Sequence, residues 1–236
     1  MQRYFTNILE DDVFTLSDDD KYHIEKVMRM NINDKIEIVY DGKTYESIIE
    51  SFNPLKARIN KVLDEDNENN LKIIVVQSLV NENKMDFILQ KCTELGAYSF
   101  YGFKAVNSVI KENNKIDKKI MRWQKIVKEA SEQSKRNIIP KVNDLIDLST
   151  LCNLKADLKI LLSVNEKEKN IKNILQDNKD CDTIIIVVGP EGGFTSKEEE
   201  KLIENGFIKT SLGKRVLRTE TASIVTLSMI NYEWMV

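Results

Sequence analysis

Residues 184–194 read I-I-I-V-V-G-P-E-G-G-F. An unbroken run of β-branched residues is the pattern of a short strand buried on both faces, as in the middle of a parallel sheet. The run passes straight into a turn in which Pro190 fixes one backbone torsion, while Gly189, Gly192 and Gly193 permit positive φ and let a ligand lie against bare amides. A strand ending this way predicts a ligand-binding loop at the carboxyl edge of a parallel sheet. A plain strand-to-helix turn is the commoner explanation of a lone Gly-Pro-x-Gly-Gly, so the loop gains weight only from a second segment.

Residues 212–222, L-G-K-R-V-L-R-T-E-T-A, supply that segment. They follow a strand-like run, carry Lys214, Arg215 and Arg218 beside Glu220, and lead into an apolar helix. A helix start turns unpaired amides toward an incoming ligand, and Thr219 or Thr221 is placed to cap this one. Two glycine-bearing loops at one sheet edge predict a cleft between them. Neither is a phosphate cradle, because G-P-E-G-G-F lacks a following Lys-Ser/Thr and G-x-G-x-x-G does not occur.

Around these loops, strand and helix patterns alternate. Strands are predicted over residues 71–79, 98–103, 159–164 and 183–188, and helices over 84–95, 117–134, 196–205 and 219–234. The helix over 117–134 has Ile120, Trp123, Ile126, Val127 and Ala130 on one side, and the helix over 196–205 is capped by Ser196 and closed by Gly206. Alternation of this kind implies an α/β domain with a mainly parallel sheet covered on both faces. Residues 1–70 differ: short apolar runs at 3–8, 35–40, 45–51 and 57–63 alternate with polar turns, and Asp41-Gly42 is a hairpin signal. They predict a small β-barrel with one helix over 17–30, capped by Ser17, with Tyr22, Ile24, Val27 and Met28 on its apolar side. D-E-D-N-E-N-N at 64–70 reads as a linker, giving domains 1–70 and 71–236.

The composition, 42% apolar and 31% charged, is that of an ordinary globular protein. No run approaches the length of a membrane span and residues 1–10 do not read as a secretion signal, so a cytoplasmic location without membrane contact is expected. Cys92, Cys152 and Cys181 are far apart and His23 is the single histidine, which speaks against a disulfide framework, a Ser-His-Asp triad and a metal site. Residues 1–70 hold 9 Lys and Arg against 16 Asp and Glu, whereas residues 71–236 hold 26 against 22, so the second part is mildly basic. That is a weak nucleic-acid signal, since a solvated lysine face is the usual cause. Lys91 and Glu94, like Gln133 and Arg136, are three apart and share a helix face; solvated pairing is the ordinary reading, with phosphate contact by Gln133 and Arg136 the other.

The ordered set K-M-D with Q-K-C-T-E-L-G (84–96), R-W-Q-K-I with E-A-S-E-Q-S-K-R and I-P (122–140), G-P-E-G-G-F (189–194) and L-G-K-R-V-L-R-T-E-T-A (212–222) resembles the RsmE family. Members are bacterial methyltransferases of the SPOUT superfamily that modify uridine N3 in 16S ribosomal RNA of the small subunit. M-Q-R-Y-F and H-I-E-K-V-M-R resemble that family's first domain, so the likeness covers essentially the whole chain. The resemblance implies an α/β, SPOUT-type C-terminal domain with a trefoil knot, a PUA-like N-terminal β-barrel that binds RNA, and a homodimer. It implies S-adenosyl-L-methionine as cofactor, held by Leu162 and Ser163, by Gly189, Pro190, Glu191, Gly192 and Gly193, and by Ser211, Leu212, Gly213, Leu217, Arg218, Thr221 and Ala222. Arg3, Arg29, Lys84, Lys91, Glu94, Gln133 and Arg136 are the expected RNA contacts. Where the family often has arginine-serine and Gly-Asp pairs, this chain has Asn107-Ser108 and Asn33-Asp34, and the first change removes a possible RNA contact.

For the chemistry, uridine N3 must lose its proton and lie outside a base pair. Arg218 is expected to stabilise charge on the uracil oxygens, and Glu191 or Glu220 to accept the proton or to anchor its loop. Two other readings stay open at this point: a related knotted methyltransferase acting on a ribose 2′-hydroxyl or a tRNA base, and a non-enzymatic RNA-binding or ribosome-assembly module.

Overall fold

Residues whose apolar positions alternate bury one face as strands, and most of the first 63 residues do so. The computed structural model describes residues 1–108 and 116–234, and divides into two compact units: Met1–Glu68 with Ser131–Ile139, and Asn69–Ala130 with Pro140–Val236. In the first unit, β1 (Arg3–Phe5), β2 (Leu9–Glu10), β3 (Val13–Thr15), β4 (Lys35–Tyr40), β5 (Lys43–Phe52) and β6 (Leu55–Leu63) form one sheet in the order β1-β4-β5-β6-β3-β2. Asp41 and Gly42, with φ of 49° and 73°, make the left-handed turn between β4 and β5 that the Asp-Gly pair predicts. Tyr4, Phe14, Ile36, Ile38, Ile49 and Leu55 are the centre of its core.

The helix in this unit is shorter than predicted. Ser17 caps α1 (Asp18–Tyr22) in a reciprocal pairing with Asp20, but the next turn, His23–Val27, widens to a π-helix closed by Met28 N donating to His23 O at 2.9 Å. The wider turn changes which side chains face inward. Ile24 is buried, whereas Tyr22, Val27 and Met28 are exposed.

Residues 64–70 are not a free linker. Glu68 Oε1 accepts hydrogen bonds from the backbone N–H of Asn137 at 2.8 Å and of Ile138 at 3.1 Å, and Asn67 N donates to Asn137 Oδ1 at 3.0 Å. Two expected RNA contacts are corrected by the same network. Arg3 is fully buried, paired with Glu37 at 3.0 Å and Glu65 at 2.8 Å, and donates to the carbonyls of Lys135 and Arg136. Arg136 is 4% exposed and paired with Glu68 at 2.5 Å; Lys135, at φ 61°, has already turned the chain off the helix, so Arg136 shares no helix face with Gln133. A buried guanidinium with matched carboxylates holds a fold together rather than presenting charge to a phosphate.

The second unit contains β7 (Lys72–Ser78), α2 (Glu82–Glu94), β8 (Ala97–Phe103), α3 (Ile116–Gln133, its last turn counted with the first unit), β9 (Lys141–Val142), α4 (Leu148–Asn153), β10 (Leu158–Leu162), α5 (Ile171–Asp177), β11 (Thr183–Val188), α6 (Ser196–Glu204), β12 (Ile208–Thr210) and α7 (Thr219–Trp234). The sheet runs β12-β10-β11-β7-β8-β9 with every neighbouring pair parallel. The strand of the opening motif, β11, lies between β10 and β7, and Ile184 to Val188 are all buried. Ile185 and Val187 pack on one face with Phe103, Leu151, Phe194 and Leu202. On α3, Trp123, Val127 and Ala130 are the buried stripe, and Gly206, at φ 85°, ends α6 as predicted. The cap of α6 is Thr195 rather than Ser196, because Thr195 and Glu198 satisfy each other's backbone amides reciprocally.

Burial pulls the Glu37 carboxyl up, but hydrogen bonds from Lys135 and Arg3 outweigh it and hold the group below its ordinary value. Its stabilisation is therefore complete above the unfolded carboxylate value and is lost as pH falls through the lower folded one. Arg3→Ala is expected to cost about 3–5 kcal/mol in urea unfolding, the range for breaking a buried pair. Because the Glu37 value should rise toward its unfolded one in this variant, the part of the stability lost on acidification should be smaller than in the parent.

Candidate active site

Three neighbouring parallel strands, β12, β10 and β11, release their carboxyl ends side by side, the position at which open α/β sheets bind ligands. Their exit loops enclose a cavity of about 480 Å³. The loop after β11 is a tight turn: Gly193 N donates to Pro190 O at 2.9 Å and Gly193 has φ 68°. A side chain at Gly189 would meet the Phe194 ring at 3.1 Å. Asn107, one of the departures from the family pattern, braces this loop by donating from Nδ2 to the carbonyls of Gly193 at 3.1 Å and Gly192 at 3.3 Å.

The loop is also tied from below. Gln77, buried at the end of β7, donates from Nε2 to Thr219 Oγ1 at 2.9 Å and accepts at Oε1 from Ser223 Oγ at 2.6 Å. Thr219 Oγ1 in turn donates to Gly189 O at 2.7 Å. Thr219 thus works as a bridge rather than as the helix cap. The β10 exit is fixed similarly: Ser163 N donates to Thr210 O at 2.9 Å, Ser163 Oγ donates to Glu199 Oε1 at 2.5 Å, and Lys209 Nζ pairs with Glu199 Oε2 at 2.7 Å.

Of the expected cofactor residues, Leu162, Ser163, Gly189, Pro190, Glu191, Gly192, Gly193, Ser211, Leu212, Gly213, Leu217, Arg218 and Ala222 all line this cavity. Thr221 does not: Thr219 and Ala222, three apart on α7, face inward and turn Thr221 and Glu220 to other sides. Glu199 and Thr210 are cavity residues that sequence reading missed; the acidic first turn of α6 was the available signal for Glu199. Lys214, Arg215 and Arg218 are exposed along one wall.

Lys84, expected to touch RNA, lines the cavity. Asn81 caps α2 by accepting from Lys84 N at 3.0 Å, and Lys84 Nζ pairs with Glu191 at 2.8 Å and Glu220 at 3.7 Å. The hydrogen bond from Lys84 holds the Glu191 carboxyl below its usual range, so Glu191 is an anion at neutral pH. Lys91 and Glu94 form the partly exposed pair that their spacing predicts, at 2.8 Å, while Arg29 and Gln133 are exposed.

A parallel α/β unit with such a cavity defines a ligand-binding domain at a sheet edge. Residues 67–231 match the RNA methyltransferase domain family. Ribosomal RNA small subunit methyltransferase E of Bacillus subtilis is 36% identical, over 99% of this chain and 97% of that protein. Its counterpart in Mesomycoplasma hyopneumoniae is 32% identical over 97% and 98%. The structure of ribosomal RNA small subunit methyltransferase E from Neisseria gonorrhoeae bound to S-adenosyl methionine superposes with a TM-score of 0.90, at 30% identity, over 99% of this chain and 98% of that one. The chain belongs to the ribosomal RNA small subunit methyltransferase E family.

Thr219→Val keeps the shape of the side chain but removes the donor to Gly189 O and leaves Gln77 Nε2 with the carbonyl of Ser78 alone. It is expected to cost about 1–3 kcal/mol in denaturant unfolding, with Thr219→Ser close to the parent.

Proposed function

We propose that this protein transfers a methyl group from S-adenosyl-L-methionine to N3 of a uridine in 16S ribosomal RNA of the small subunit. The observation that carries the reading is the convergence of three strand-exit loops on one cavity, in a chain whose full length matches the small-subunit methyltransferase E family. The residues present fit the cofactor. Leu162, Val188, Leu212 and Leu217 offer an apolar wall for an adenine ring, and the glycine-rich turn offers backbone amides to polar ring and ribose atoms. Glu191, held anionic, is complementary to the cofactor's cationic methionyl end.

The finer parts of the reading belong with it: a trefoil knot formed by the loops after β10, β11 and β12, and a PUA-like, RNA-binding barrel for residues 1–70. A homodimer is supported by α7, where Ile224, Val225 and Met229 are half-buried on a helix with apolar residues around it. A ribosomal substrate implies a cytoplasmic location.

When bound, the cofactor supplies an electrophilic methyl group on a sulfonium. The chain's part is to position the unpaired base, to stabilise charge as its proton leaves, and to exclude competing orientations. Arg218, exposed on the cavity wall, is placed to stabilise the anion spread over the uracil oxygens. Glu191 lines the cavity but is a weakened base, since the pairing that lowers its affinity for protons also fixes its position. Glu220 lies outside the lining with one oxygen buried, which favours an anchoring role over direct proton acceptance.

Arg218→Ala should lower turnover about 10²–10³-fold at saturating cofactor. An unchanged rate removes Arg218 from the chemistry. Nucleoside mass spectrometry of isolated small subunits and of naked RNA after reaction identifies the product: 3-methyluridine supports the reading, and a ribose-methylated nucleoside sinks it. Absence of binding heat with S-adenosyl-L-methionine would return the chain to a non-enzymatic RNA-binding role.

A further inference from the structure

Lys84 joins two parts of the cavity wall from a third. Its backbone lies in the first turn of α2, while its ammonium reaches Glu191 Oε1 in the loop after β11 and Glu220 Oε2 in the first turn of α7. Glu220 Oε2 is buried and has no hydrogen-bond partner among the described residues, so the ammonium at 3.7 Å is its compensation. Without Lys84, a carboxylate of the loop after β11 and one of the first turn of α7 would stand near each other in a partly buried place, where like charges repel strongly. The same geometry explains why Lys84 is ill suited to grip a phosphate. Its single positive charge is already faced by two negative ones, and its side chain is 25% exposed.

We propose that Lys84 is a positioning residue of the methyl-transfer site, whose ammonium ties the loop after β11 to the start of α7 and so sets the cavity for the methyl donor. This rests on the reading that the cavity takes S-adenosyl-L-methionine. Three charged groups surround the ammonium: Glu191, Glu220, and Arg218 at the end of the loop before α7. The hydrogen bond to Glu191 keeps Lys84 protonated above its ordinary value, against burial and the repulsion of Arg218. The tie is therefore present across the whole neutral range.

The role predicts a charge signature that lost packing alone would not give. S-adenosyl-L-methionine binding is measured by calorimetry between about pH 5 and pH 8 on the full chain and on K84M, K84R, E220Q and the double variant K84M/E220Q, with thermal melts to confirm folding. K84M should weaken binding about tenfold or more at pH 8, the order expected for one uncompensated charge. The loss should shrink toward pH 5, as one of the two carboxylates takes up a proton. Adding E220Q to K84M should recover most of the affinity at pH 8, because the repulsion is gone, and K84R should stay within a few-fold of the parent. If K84M fails to fold, the same reasoning requires K84M/E220Q to fold and K84R to bind; failure of either overturns the inference. So does a K84M that binds as the parent does, a double variant no better than K84M, or a K84M that loses RNA affinity while its cofactor affinity is untouched. Parent chain that gives no heat overturns the cofactor reading itself and takes this inference with it, whereas parent and K84M binding alike overturns the inference alone.

Discussion

A single hydroxyl constrains the site. β7 lies inside a sheet covered on both faces, and its next-to-last residue is Gln77, an amide that is 1% exposed. A buried amide without partners is costly, so something polar has to be brought to it. Thr219 and Ser223, one turn apart at the start of α7, are what is brought, and Thr219 spends its own proton on Gly189 O. The start of α7, the end of β7 and the exit of β11 are thereby fixed to one another. The rotation of α7 follows: with Thr219 and Ser223 turned toward Gln77, Ala222 falls against the cavity and Thr221 falls away from it. The cavity is shaped by the need to satisfy a glutamine in the sheet.

The charges sort by burial into two kinds of work. Arg3 and Arg136 are almost wholly enclosed, each with carboxylates and carbonyls to match, and both act within the first unit. Lys209 and Lys84 are partly enclosed and tie carboxylates beside the cavity. Lys214, Arg215 and Arg218 stand exposed in one short segment of its wall. Cations already committed to buried partners contribute little field outside, so the mild positive excess of residues 71–236 reaches an incoming polyanion chiefly through exposed groups such as these.

Much of this was legible in the sequence. The β-branched run of β11 and the bounds of α7 were readable because burial on all sides leaves a continuous apolar signal. The loops were readable because glycine marks the places where backbone must come close to something. β9, at two residues, was not, since so short a strand has no period to detect, and β12, at three, was legible only as a strand-like run without bounds. The π-turn at His23–Val27 was hidden for a related reason: a helix pattern implies a period, and one wide turn breaks it without changing composition. Arg3 was misread because its partners, Glu37 and Glu65, are far off in sequence, so spacing could not show that its charge was taken. The ion partners of Lys84 were hidden likewise, its carboxylates being 107 and 136 positions away.

Asn107 shows how a departure from a family pattern should be weighed. The resemblance suggested that asparagine, in place of an arginine, subtracts an RNA contact. The structure gives the asparagine work that its length suits: Nδ2 donates to two successive carbonyls of the glycine-rich turn, and a side chain at Gly192 would meet Asn107 Cβ at 3.1 Å. The glycine and the short amide therefore depend on each other. The turn can be glycine-rich, with the flexibility that entails, because Asn107, Lys84 and Thr219 hold its carbonyls and its carboxylate from three directions. A loop braced in this way from several directions is held in one shape, and such preorganisation is what a binding loop requires.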